Sequence, residues 1–260
     1  MGLQAVTESR GAGEMNVMRT WTKWIAGFDP HGVYQDKASN DAFFKFLDLW
    51  KPAIRIAGGD IWDFKQLRKK ADAYEKRESM AVDVQAGKEW LERLQPTHYL
   101  RGNHCERLWD LAQQSEGIVA DYAKLIVNNL EELVTKMRCQ MFPYNKREGV
   151  MRLGDLKVIH GYRAGITAAR MSAKTYGSVL MGHGHQIQQA AIEGLDQRTG
   201  FMGGCLCKLE LEYNRAQEGS LTWEHGFPYG VVDLDSGLFQ LWQARELDGK
   251  WLLPTGIEEL

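Results

Sequence analysis

No apolar run in this chain approaches the roughly 20 residues that a membrane-spanning helix needs, and the first 20 residues lack the apolar core of a signal peptide. Neither membrane insertion nor secretion is expected, so the cytoplasm is the expected compartment. Cysteine is scarce. Cys105, Cys139, Cys205 and Cys207 are too few and too scattered for the disulfide framework of a small secreted domain. Cys205 and Cys207 would share one strand face, but no second pair completes a zinc ribbon, and both are expected to be buried as small apolar side chains. A surplus of either charge is missing too. A formal net charge of -2 draws the chain as a whole neither to nor from nucleic acid, which leaves that question to local patches. Gly2 follows Met1, yet Val6 stands where the myristoylation pattern wants Ser or Thr. Internal repeats, low-complexity linkers and composition breaks are also lacking. One domain over residues 19–260, after a mobile lead-in over 1–18, is the economical expectation, and 44% hydrophobic residues supply ample core.

What the chain does have is a rhythm in which short apolar runs end in polar, Gly- or Pro-containing motifs. Residues 21–28 read as a strand that runs into Asp29-Pro30-His31, and residues 54–57 as a strand that runs into Gly59-Asp60-Ile61-Trp62-Asp63. Residues 98–100 lead into Gly102-Asn103-His104, residues 156–159 into His160-Gly161, and residues 179–181 into Gly182-His183-Gly184-His185. Helical spacing separates these motifs. Ser39-Asn40-Asp41 signals a helix start before Phe43 to Trp50, residues 65–77 read as a charged helical stretch, and Trp90, Leu91 and Leu94 mark another helix. The apolar positions from Ile118 to Val134 predict the longest helix, closed by Pro143, and residues 166–176 one more. Alternation of this kind predicts an α/β fold with its site at the carboxyl ends of strands. After residue 200 the pattern turns antiparallel: Leu209, Leu211 and Tyr213 alternate, and Asp235-Ser236-Gly237 and Asp248-Gly249 signal hairpins.

Five of the seven histidines, His31, His104, His160, His183 and His185, lie in these strand-end motifs. A lone Gly-His pair means little, but five at successive strand ends point to a metal centre. Carboxylate, imidazole and amide oxygens suit divalent ions such as manganese, iron, zinc or nickel, and no thiolate cluster selects a softer metal. Two such ions about 3.5–4 Å apart can activate a water and polarise phosphoryl oxygens together.

In their order, Asp29-x-His31, Gly59-Asp60 with Asp63, Gly102-Asn103-His104, His160-Gly161 and Gly182-His183-x-His185 resemble the five signature motifs of the calcineurin-like metallophosphoesterase superfamily, across residues 29–185. The resemblance implies a four-layer αββα sandwich of two mixed sheets flanked by helices. It implies two divalent ions, manganese foremost. Asp29, His31 and His185 would hold the first, Asn103, His160 and His183 the second, and Asp60 would bridge them. His104 would act outside the metal shell as general acid or phosphate stabiliser, oriented by Asp63. Dinuclear hydrolysis of a phosphomonoester or phosphodiester by a bridging water or hydroxide follows from it.

The chain departs from the superfamily pattern at two positions. Cys105 replaces the usual acidic residue after the Asn-His pair, which implies altered support around the site. Phe64 stands where the superfamily's protein Ser/Thr phosphatases carry Arg, which disfavours that activity. The substrate is otherwise weakly marked. Arg163 could grip a substrate phosphate with its planar fork or lie on the surface. The basic run from Lys65 to Arg77 could track a nucleic-acid backbone, as in the superfamily's repair exonucleases, but Asp72, Glu75 and Glu78 interrupt it and favour a solvated face. Trp223, His225 and Phe227, beyond the last motif, could line the pocket mouth, but read first as strand and core residues. A non-catalytic scaffold is the remaining reading, disfavoured because every metal and catalytic position is present. Oligomeric state is not readable.

Overall fold

Side-chain alternation along the short strands builds the layers. The computed structural model describes residues 20–114, 116–211, 214, 217–253 and 256–257, the last two as backbone only. The lead-in expected over 1–18, and Tyr213, lie outside the described residues. Strands β1 (Trp21–Gly27), β2 (Ile54–Ala57), β3 (His98–Leu100) and β4 (Gln140–Phe142) run parallel in that order. On the other side of β1, β10 (Gly226–Asp233), β11 (Phe239–Leu247), β12 (Lys250–Leu253) and β13 (Gly256–Ile257) extend the same sheet antiparallel to eight strands. The second sheet orders β5 (Met151–Leu153), β6 (Leu156–Ile159), β7 (Val179–Met181), β9 (Arg198–Gly203) and β8 (Ile187–Ile192), with parallel β6, β7 and β9 at its middle.

Every second residue on these strands faces the other sheet. Trp24, Ala26, Phe28 and Ile56 from the larger sheet meet Leu156, Val158 and Leu180 from the smaller in one buried cluster. The intervening residues face outward onto helices. Ile25 and Ala57 pack with α1 (Lys37–Trp50), α2 (Ala81–Leu94), α3 (Asn103–Gln114) and α4 (Gly117–Lys136), while Ile159, Val179 and Met181 pack on α5 (Ala168–Tyr176). This period-two partition produces helix, sheet, sheet, helix, the two mixed sheets with flanking helices that the motif resemblance implies.

Several sequence expectations are corrected. Helix α1 begins at Lys37, capped by the Asp36 carboxylate, which accepts from Ser39 N at 2.8 Å. Ser39 and Asn40 lie inside the helix and are buried, Asn40 donating to the carbonyls of Asp36 and Leu206 at 2.7 Å. Residues 65–77 are a loop with two short 3-10 turns rather than a helix. Its charges spaced at helical intervals pair across the loop, Arg68 with Glu75 at 2.6 Å and Lys65 with Glu78 at 2.6 Å, so they fold it back on itself. Helix α4 exists as expected, but Ile118, Val119, Tyr122 and Leu125 on its first half are exposed, and Ala120, Ala123 and Val127 face the core instead. Leu209 and Leu211 belong to no strand. Strands β4 and β5 were not foreseen, whereas both hairpin turns fall where Gly237 and Gly249 predict them.

Candidate metal centre

The carboxyl ends of β1, β2, β3, β6 and β7 converge on one seam between the sheets, and the five polar motifs begin there. The backbone turns sharply to aim them. Asp29, His31, Asp60, His183 and His185 all have positive φ, between 46° and 65°. Side-chain-bearing residues rarely accept this region, and such strain concentrates where the surroundings over-determine a functional geometry. Two glycines make room for it. A Cβ on Gly102 would meet the Asp60 carboxylate at 2.1 Å, and one on Gly59, at φ +106, would meet His160 Nδ1 at 2.2 Å.

Ligand-type atoms gather in two groups. In the first, His31 Nε2 and His185 Nε2 are 3.2 Å apart, and His185 Nε2 lies 3.8 Å from Asp29 Oδ1. In the second, Asn103 Oδ1 lies 2.8 Å from His183 Nδ1 and 3.1 Å from His160 Nε2, which is itself 3.2 Å from Asp60 Oδ2. Asp60 faces both ways, its carboxylate clustering with His31 and His104 on one side and with His160 and His183 on the other. The fold thus brings together all seven residues expected as ligands.

The environment suits cations. Asp29 and Asp60 are buried, and Asp29 Oδ1 has no hydrogen-bond partner, an orphaned acceptor that a metal ion would satisfy. Burial raises the Asp29 carboxyl well above its usual range, against the opposing charge of His160. Burial would raise Asp60 as well, but the neighbouring His160 and His104 outweigh it and hold the group well below the usual carboxylate range. His160 is pushed up to about 9, because the attraction of Asp60 overcomes burial. Burial, joined by the charge of His160, lowers His183 to about 4, and burial with the charge of His31 holds His185 well below its ordinary value. Both of these imidazoles are therefore neutral near pH 7, with ring lone pairs available to an ion.

Hydrogen bonds at the back of three of the rings fix their tautomers. Asp63 Oδ1 accepts from His31 Nδ1 at 2.9 Å and from His104 Nδ1 at 2.8 Å, so one oxygen orients two imidazoles. His160 Nδ1 donates to the Gly58 carbonyl at 3.0 Å. Two backbone amides brace the carboxylates, His183 N donating to Asp29 Oδ2 and His104 N to Asp60 Oδ1, each at 2.8 Å. Arg107, one turn beyond Asn103 on α3, donates to the Asp63 carbonyl at 2.8 Å.

Other residues resolve less uniformly. Arg163 is exposed on the loop after β6, near Tyr176, and makes no hydrogen bond or ion pair among the described residues. Phe64 is fully buried and stacks on Trp62, so its side chain cannot reach a substrate. Cys105 is buried too, and burial pushes its thiol up to about 12, which leaves it a neutral packing group near Asp60. Cys207 is buried as expected, yet the fold sets its Sγ 3.9 Å from His185 Nδ1, a contact that sequence spacing could not show. Of the two readings open to Trp223, the structure takes the pocket mouth over strand or core: it packs edge-on against His185, ring centroids 4.1 Å apart, and lines a cavity of about 770 Å³. Asp83 was missed altogether. From the first turn of α2 its carboxylate accepts from Phe64 N at 2.8 Å and Val33 N at 3.2 Å, tying the first two ligand loops together. No sequence signal distinguished it from the other acids of a solvated helix.

No protein-family model matches the chain, and no curated protein matches it. Solved structures similar to it include a conserved uncharacterised protein of Streptococcus pneumoniae described as a predicted phosphoesterase, at 13% identity and a TM-score of 0.35. Vps29 of Entamoeba histolytica, crystallised with zinc, is similar at 11% identity and a TM-score of 0.39. Yfce, a phosphoesterase from E. coli, is similar at 13% identity and a TM-score of 0.38. In each case 86% of this chain and 98% of the other are covered. At such low scores these likenesses carry no chemistry, which has to come from the side chains.

Proposed function

We propose that the chain is a calcineurin-like metallophosphoesterase that hydrolyses a phosphomonoester or phosphodiester at a centre of two divalent ions. The observation that carries this reading is the convergence of seven ligand-type residues in two groups that share Asp60, with the buried Asp29 Oδ1 left unpaired. Asp29, His31 and His185 would hold one ion, Asn103, His160 and His183 the other, and Asp60 both. Manganese fits this oxygen and nitrogen donor set, as do iron, zinc and nickel. When bound, the ions supply Lewis acidity toward the phosphoryl oxygens and make water more acidic.

The protein's own contribution is orientation and proton transfer. His104 holds its Nδ1 proton in the hydrogen bond with Asp63, so Nε2 is the nitrogen free to act. A ring that also carries a proton there can pass it to a leaving oxygen or donate it to the phosphoryl group, returning to the neutral Nδ1–H form. The same Asp63 oxygen fixes His31 with Nε2 toward the ligand group. His160, tied at Nδ1 by Gly58, likewise presents Nε2 to Asp60 and Asn103. These three imidazoles therefore arrive with their working nitrogens preset.

The test is hydrolysis of bis(p-nitrophenyl) phosphate and its monoester analogue by manganese-loaded protein. Asp60→Asn should lower turnover on the order of 10³-fold, since several kcal/mol of charge stabilisation depends on correctly held ions. Wild-type-like turnover by Asp60→Asn would remove the shared ligand from this reading.

A further inference from the structure

The seven expected ligands leave one metal-binding atom beside the first group without a role. Cys207 Sγ, one ring nitrogen of His31 and one of His185 all lie within 4.8 Å of one another, and all three residues are buried. Asp63 holds His31 Nδ1, so Nε2 is the nitrogen that His31 can offer, and it faces His185 Nε2 at 3.2 Å. Asp29 Oδ1, the buried oxygen with no hydrogen-bond partner, lies 3.8 Å from that same His185 Nε2. Two nitrogens and a sulfur, with an unpaired oxygen beside them, make the donor set of one ion. With metal–nitrogen bonds of about 2.1 Å and metal–sulfur bonds of about 2.3 Å, an ion on His185 Nε2 is within bonding reach of a sulfur 3.9 Å from Nδ1 of that ring.

The backbone holds the thiol in this place. Residues 205–208 run beside the loop that carries Asp29 and His31: Leu206 N donates to the Phe28 carbonyl at 3.1 Å, Asp36 N to Leu206 at 3.0 Å and Lys208 N to Tyr34 at 2.8 Å. Gln35 and Cys207 pair there in an isolated antiparallel bridge, and His225 Nε2 donates to the Cys207 carbonyl at 2.9 Å. Cys205 is buried too, but its Sγ turns to the carbonyls of Cys207 and Glu224 at 3.9 and 3.6 Å, and it joins none of the metal-binding groups among the described residues. The second group, Asp60, His160 and His183 with Asn103, offers oxygen and nitrogen only.

Resting on the metallophosphoesterase reading above, we infer that Cys207 is a further ligand of the first ion, and that its sulfur gives this position a preference for zinc over manganese that the second position lacks. A thiolate is the soft donor missing from the strand-end motifs, and softness of the donors is what separates zinc from manganese. On binding, the ion takes the place of the thiol proton, which passes to solvent. The two positions then fill with different ions.

Cobalt(II) at two equivalents fills both positions and reports on sulfur directly. Wild-type protein and Cys205→Ser should show a near-ultraviolet sulfur-to-cobalt charge-transfer band, and Cys207→Ser should lack it. In competition titrations Cys207→Ser should weaken zinc by at least about tenfold and manganese by less. X-ray absorption of wild-type protein carrying one equivalent of zinc needs no variant, and should place a sulfur neighbour at about 2.3 Å from the metal. No band in wild type, a band that survives Cys207→Ser, equal weakening of both metals, or a shell of nitrogen and oxygen alone around zinc would overturn the ligand. Any of these in protein that hydrolyses bis(p-nitrophenyl) phosphate would defeat this inference alone. A sulfur neighbour in protein that hydrolyses no ester would defeat the proposed reaction alone.

Discussion

Every carboxylate at the candidate centre comes from the eight-stranded sheet, whereas the five-stranded sheet supplies imidazoles. Asp29, Asp60 and Asp63 follow β1 and β2, while His160, His183 and His185 follow β6 and β7. Protein groups join the halves directly: His160 pairs with Asp60, and the His183 amide braces Asp29. The same atoms thus serve the cohesion of the seam and its affinity for cations. Metal, proton and the contact between the sheets compete for one set of lone pairs.

The largest expected effect separates catalysis from that seam. His104 belongs to the carboxylate-bearing sheet but stands outside both ligand groups in this reading, so His104→Ala should retain bound manganese by elemental analysis and lose 10²- to 10⁴-fold in turnover, roughly the range for general acid catalysis. Loss of both ions would instead make it a ligand.

A second measurement sets protons against metal. With its imidazole raised from 6.5 to about 9 by Asp60, His160 stabilises the metal-free fold fully below pH 6.5, and that contribution is lost as pH rises through about 9. An ion needs the ring neutral. Apparent manganese affinity should therefore climb with pH, by up to about tenfold per unit until near pH 9. A flat affinity profile between pH 7 and 9 would break the link between seam and ion.

Manganese at about one hundred times its Kd should raise the thermal midpoint by roughly 5–10 °C, from about 2.7 kcal/mol of binding linkage. An unchanged midpoint would mean that the ion spans no seam. The smallest effect lies far away in the antiparallel part. Gly249, at φ +76 in the turn between β11 and β12, should cost about 1 kcal/mol as Gly249→Ala, or 2–4 °C, with turnover per folded molecule unchanged.

The parallel strands β1, β2, β3, β6 and β7 and their polar ends were legible because each is a short apolar run and the motif that ends it is not. Both hairpins were legible from turn chemistry at Gly237 and Gly249. What escaped depended on contacts between distant segments. The 65–77 loop has charges at helical spacing, yet Arg68 and Lys65 bond across it to Glu75 and Glu78 rather than along a helix. Strands β4 and β5 have three residues each and, unlike the equally short β3 and β7, run into none of the histidine-bearing motifs that mark a strand end. The apolar face of α4 was misjudged because alanines, not the larger side chains, meet the neighbouring α3 at close range. At the site, the ligand types and their order could be read directly. Asp83 and Cys207 could not, since each gains its role only when the fold sets it against Phe64 or His185.

The positive φ angles of Asp29, His31, Asp60, His183 and His185 bear on solvent exchange. Backbone held in this region relaxes when its restraints loosen, so amides of these loops should trade deuterium through local openings far below the energy of global unfolding while the ion is absent. Metal would close those openings together. Three separated stretches of sequence would then fall silent as a single block, and isotope uptake would trace the outline of the centre with no substrate present.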